Sequence, residues 1–164
     1  MKARLGFFAL LALPCAALAF DANGVKLGDS EAAVKSAFPE AYCKPLEWKS
    51  DAADRRCDNS RIKFAGFSGR ITFYLKGGKV QAFDVRFQTS DAEGVVAKLK
   101  ARYGKPVFEG WETIRRRDKP GQEVYRLRWR KGKDSATYSA RAGERRLELL
   151  VWRGDFDVEI YRVK

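Results

Sequence analysis

Apolar residues recur at two different periods along this chain. Val34, Ala37 and Phe38 fall on one face at helical spacing behind Asp29 and Ser30, either of which can cap a helix. Glu31 suits the positive end of that helix and Pro39 stops it. A clearer helix is predicted where Ala92, Val95 or Val96, Leu99 and Tyr103 repeat at three- and four-residue intervals. Ser90 and Glu93 have the spacing of a capping box at its start, Gly104 suits the left-handed position past its end, and Pro106 blocks continuation. Lys98, Lys100 and Arg102 fall mostly on its wet side.

Elsewhere the period drops to two. Ile71, Phe73 and Leu75 alternate with Thr72, Tyr74 and Lys76, Gly77-Gly78 turns, and Lys79 to Phe87 returns with Phe83, Val85 and Phe87 on one side. That pattern predicts a hairpin. Five further strands are predicted over 108–116, 124–131, 136–141, 145–152 and 156–163, with breaks at Pro120-Gly121, Gly132, Gly143 and Gly154. Tyr125, Leu127 and Trp129 face one way and Arg126, Arg128 and Arg130 the other, as in a half-buried antiparallel strand.

The order helix, strands, helix, strands predicts an α+β fold with helices packed on one face of an antiparallel sheet. A length of 164 residues suits one domain. No linker rich in Pro, Gly or Ser divides the chain, so residues 20–164 read as one compact domain of two similar halves, about 20–89 and 90–164.

The first residues carry an address. Lys2 and Arg4 precede an apolar run, Leu5 to Leu13, and Ala17-Leu18-Ala19 supplies the small-x-small pattern that a signal peptidase reads. The run falls short of the roughly 20 residues of a membrane span. Pro14 before Cys15 fits a lipidation site poorly. Residues 1–19 therefore read as a cleaved signal peptide, and the protein as periplasmic or secreted. Cys43 and Cys57 then remain, and an even pair in an oxidising compartment predicts a structural disulfide.

Leu27-Gly28-x-Ser30-x-x-x-Val34 followed by Phe38-Pro39, with Leu99-x-x-x-Tyr103-Gly104-x-Pro106 later, resembles the helix-entry and helix-exit wording of small envelope proteins. The pattern is similar to the small-protein-A/outer-membrane-lipoprotein-A (BamE-type) family and, more distantly, to the tandem β-lactamase-inhibitor-like fold. The stretch Leu127 to Gly132 also resembles uncharacterised periplasmic proteins with a tryptophan strand after such a helix. The resemblance implies helices against an antiparallel sheet, repeated twice in the inhibitor type, and no catalytic residues. The chain departs from the BamE type in lacking a lipidation cysteine at the cleavage site, so membrane anchoring is not carried over.

Composition narrows the chemistry. Histidine is absent, which removes imidazole triads and His-ligated zinc. No nucleophile elbow, H-E-x-x-H or phosphate loop occurs. Asp155, Asp157 and Glu159 on a strand would not converge as calcium ligands, so no metal and no cofactor is expected. The chain is read as not an enzyme, with a carboxylate-dependent hydrolase as the remote alternative.

Charge is the one biased feature. The 33 Lys and Arg against 21 Asp and Glu give +12, and loss of Lys2 and Arg4 with residues 1–19 lowers it by two to +10. Residues 20–90 carry +3 and residues 91–164 carry +7. The candidate binding residues are Arg115, Arg116, Arg117, Arg126, Arg128, Arg130, Lys131 and Lys133. Aligned guanidinium groups on an exposed sheet face suit carboxylates and phosphates. The bland alternative is a solvated face with Glu112, Glu123, Glu144 and Glu148 pairing across strands. The resulting expectation is a binding or interaction module for an acidic protein, an anionic lipid headgroup or an acidic glycan. An inhibitor-like protein acting on a periplasmic enzyme is the alternative. Nucleic acid is disfavoured for an exported chain without a recognition motif.

Overall fold

The computed structural model describes residues 20–116, 119–141 and 146–162. Residues 1–19, read above as a signal peptide, lie outside the described residues, as do Arg117, Gly143 and Glu144. A ribbon of β1 (Asp21–Ala22) and β2 (Val25–Lys26) leads into helix α1 (Glu31–Ala37). Ser30 caps that helix, its hydroxyl accepting from the Ala33 amide at 3.2 Å. Four strands follow: β3 (Tyr42–Pro45), β4 (Arg55–Phe64), β5 (Phe67–Lys76) and β6 (Lys79–Phe87). Helix α2 (Ala92–Tyr103) precedes four more, β7 (Phe108–Arg116), β8 (Lys119–Lys131), β9 (Asp134–Arg141) and β10 (Leu147–Arg153). A single turn, α3 (Phe156–Glu159), comes last. No helix among the described residues is long and apolar enough to cross a membrane.

Strands β3 to β10 form one antiparallel sheet in the order β3-β4-β5-β6-β10-β9-β8-β7. The last strand of each run, β6 and β10, pair at the centre, with Val85 opposite Leu149 and Asp84 opposite Leu150. The short strand β3 and the longer β7 form the edges.

This architecture corrects the α+β expectation. With 54% strand and 17% helix, the protein is mostly an antiparallel β-sheet, not a layer of helices packed on a sheet. The helical pattern was real but short, seven and twelve residues in α1 and α2. Strands β3 and β4 escaped the two-residue reading for a physical reason. A register shift between Asn59 and Ile62 breaks the period of β4, and one of its inward positions is the buried polar Asn59. The Asn59 side-chain oxygen accepts from the Arg61 amide at 3.0 Å within that irregularity.

Two local expectations also fail. The strand expected over 156–163 does not form across its described residues, 156–162: Phe156 and Ile160 are buried while Val158 between them is 65% exposed. A spacing of four satisfies both periods, and only the exposure of the middle residue separates helix from strand. At α2 the cap is Asp91 rather than Ser90, with Asp91 Oδ1 accepting from the Gly94 amide at 2.8 Å.

One face of the sheet holds the main core. Ile71, Phe73, Phe83, Val85, Leu127, Trp129, Tyr138 and Leu149 cluster there with Val34 and Phe38 from α1 and its end, and Val95, Leu99 and Tyr103 from α2. Trp129 ties strand to helix end, its indole N–H donating to the Gly104 carbonyl at 2.8 Å. Cys43 and Cys57 stand opposite each other on β3 and β4 and are joined as a disulfide. Such a bond points to an oxidising, extracytoplasmic compartment.

Candidate functional site

The opposite face of the sheet carries the polar chemistry, and strand register places it. On β8 and β9, Arg130 stands opposite Ser135, Arg128 opposite Thr137, and Arg126 opposite Ser139. On β9 and β10, Ser135 stands opposite Trp152, Thr137 opposite Leu150, and Ser139 opposite Glu148. Three columns result: arginines on β8, short hydroxyl side chains on β9, and Trp152, Leu150 and Glu148 on β10. Short residues between two columns of long ones leave a trough. An open cleft of about 660 Å³ lies there, bordered by the three arginines, Ser135, Thr137 and Trp152, with Val107 and Asp157 at its rim.

The arginine column is partly engaged. Arg126 donates to Glu112 at 2.9 Å, and Arg128 donates to both oxygens of the same carboxylate at 2.9 and 2.7 Å. The Arg128 guanidinium also lies over the Phe108 ring, 4.8 Å from its centroid. Arg130 is exposed and makes no ion pair or hydrogen bond among the described residues. The column therefore already grips one carboxylate and retains one open guanidinium.

Three of the eight predicted basic residues come together in this way. Lys131 points to the other face, its ammonium 4.9 Å from the Phe20 ring centroid. Lys133 is exposed just before β9, and Arg115 is exposed near the far end of β7; neither borders the cleft. Arg116 ends β7, with its side chain outside the described residues, and Arg117 lies outside them altogether. The cross-strand pairing of the bland alternative also occurs: Glu112 takes two arginines and Glu148 accepts from Arg86.

Sequence reasoning missed Ser135, Thr137 and Trp152, although alternation along β9 and β10 would have put them on the arginine side once pairing was known. It also missed a carboxyl pair on the same face. Asp84 and Glu148 sit on neighbouring central strands and both accept from Arg86. Asp84 is buried; burial first and the charge of Glu148 second push its pKa up from 3.8 to about 7. Its Oδ1 is sealed from solvent and has no hydrogen-bond partner among the described residues. Asp84 and Glu148 both line a small open cleft of about 170 Å³ beside Phe156 and Ile160.

A second apolar cluster covers the middle of this face. Phe156 from α3 and Ile160 at its end pack with Tyr74, Ala82 and Ala53, flanked by Trp48, Leu150 and Trp152. The Trp48 indole donates to the Ile160 carbonyl at 2.9 Å, and the Ser50 hydroxyl to the Glu159 carbonyl at 3.1 Å. These bonds fix α3 beside the trough. A Glu31 carboxylate oxygen lies within 4.8 Å of both cysteine sulfurs, but the sulfurs are spent on the disulfide and Arg55 and Lys35 hold the carboxylate at 2.8 and 2.9 Å. That cluster is not a metal centre.

No family model, no curated protein and no solved structure matches the chain.

Proposed function

We propose that this protein is a non-enzymatic binding module, periplasmic or secreted after loss of residues 1–19, whose trough on β8 to β10 engages an acidic partner. The observation that carries the reading is the arginine column. Arg126 and Arg128 hold a carboxylate between them, and Arg130 beside them has no partner among the described residues. Guanidinium forks grip carboxylates with directional hydrogen bonds as well as charge. The neighbouring hydroxyls of Ser135 and Thr137 can donate or accept, which suits a polar ligand lying over them. The disulfide and the signal-like first residues support export.

The test is binding of residues 20–164 to polyglutamate, oligogalacturonate and phosphatidylglycerol vesicles at about 50 mM and about 500 mM salt, where screening lengths differ more than threefold. The reading expects at least one acidic probe to bind at low salt, to weaken at high salt and to be lost in the triple variant R126E/R128E/R130E. Failure of every probe, or binding indifferent to the triple variant, overturns it.

A further inference from the structure

The two long walls of the trough differ in chemistry. One is the arginine column of β8; the other begins with Trp152 and Leu150 on β10, and β9 between them offers only hydroxyls. The walls are two strand spacings apart, about 9.6 Å, which leaves room for one extended chain over β9. Arginines at alternate positions repeat every 6.8 Å or so along β8, the same repeat as side chains on one side of an extended peptide. Successive side chains of such a peptide point to opposite sides. We infer that the trough accepts an extended peptide segment in which acidic residues alternate with apolar ones, acids toward Arg126, Arg128 and Arg130 and apolar side chains toward Trp152 and Leu150.

This inference rests on the acidic-partner reading and names its class. Glu112 shows the fit on one side: a carboxylate from a neighbouring strand already sits between two of the guanidinium groups. On the floor, Ser135 and Thr137 can each meet a peptide N–H or C=O, which a chain lying across the face of a sheet needs because the strands' own backbone groups are spent on one another. A uronic-acid saccharide lacks the alternation of charge and apolar side chain that two unlike walls select.

The experiment measures fluorescence anisotropy of labelled peptides with residues 20–164. One peptide alternates glutamate and leucine, a second has the same composition with the glutamates in one block, and oligogalacturonate competes. The alternating peptide is expected to bind about tenfold tighter than the blocked one, a difference of about 1.4 kcal/mol. Trp152→Ala should shrink that preference by weakening the alternating peptide more than the blocked one. Because Trp152 also packs beside α3, the exposed Arg130→Ala serves as a second variant and should weaken the alternating peptide several-fold. Equal affinity for the two peptides, displacement by oligogalacturonate at lower concentration than by unlabelled peptide, or indifference to Arg130→Ala overturns the inference. Those outcomes leave the acidic-partner reading standing, whereas that reading itself falls if no acidic probe binds.

Discussion

Asp84 and Glu148 accept from the same donor: the Nε–H of Arg86 lies 3.2 Å from a carboxylate oxygen of each. One guanidinium thus serves two acids at the centre of the sheet, and Asp84, the more buried, holds its proton up to about pH 7.

That relationship sets a pH dependence. An acid whose pKa is higher folded than unfolded binds its proton more tightly in the native state. Its stabilising contribution is complete below the unfolded value, 3.8, and is lost as pH rises through about 7. Asp84→Asn should therefore flatten stability between those limits and raise it at pH 8, by on the order of a few kcal/mol at about 1.4 kcal/mol per unit. Urea midpoints at several pH values check this; parallel curves for wild type and variant would show that Asp84 is not the group responsible.

Tyr138 is the second buried misfit. Its side chain is fully enclosed in the main core and its hydroxyl has no partner among the described residues; burial pushes its pKa well above the usual phenol range. A buried donor left without a partner costs about 1–3 kcal/mol, so Tyr138→Phe should be neutral or stabilising. A loss above about 1 kcal/mol in chemical denaturation would mean that the hydroxyl is satisfied in solution.

At Gly69 the backbone of β5 lies close against that of β6. A Cβ there would stand 2.7 Å from the Arg86 carbonyl oxygen, which is backbone and cannot swing aside. Gly69→Ala should cost about 1–3 kcal/mol. An unchanged thermal midpoint would show that β5 can shift at no cost.

Glu112 competes with any acidic ligand for two arginines. Glu112→Gln keeps the size and removes the charge, so the affinity for polyglutamate should rise several-fold at low salt while stability falls by no more than about 1 kcal/mol. Lower affinity in the variant would identify Glu112 as support for the arginines rather than a competitor.

Legibility in the sequence follows how strictly each element keeps its period. The hairpin of β5 and β6 was readable because Ile71, Phe73 and Leu75 alternate without a break before Gly77-Gly78. Strand β4 was not, because its irregularity and the buried Asn59 hide the alternation. Phe156 and Ile160 satisfied two periods at once. Within the site, the arginine column was visible along β8 alone, whereas the trough needs Ser135 and Trp152 from two other strands, and no local pattern states which strands are neighbours. The pairing of Arg86 with Glu148 joins residues 62 positions apart and was invisible for the same reason.

The central claim is that the column on β8, and not the overall positive charge, recognises an acidic partner. The direct measurement compares R126E/R128E/R130E with a charge-matched control, R61E/K63E/K98E, whose three cations are exposed and none of which borders the cleft. Both variants lower the net charge equally, so polyglutamate affinity at low salt separates local from global electrostatics. The account predicts that the column variant loses binding and the control keeps most of it, with both still folded. Equal losses in the two variants would contradict it.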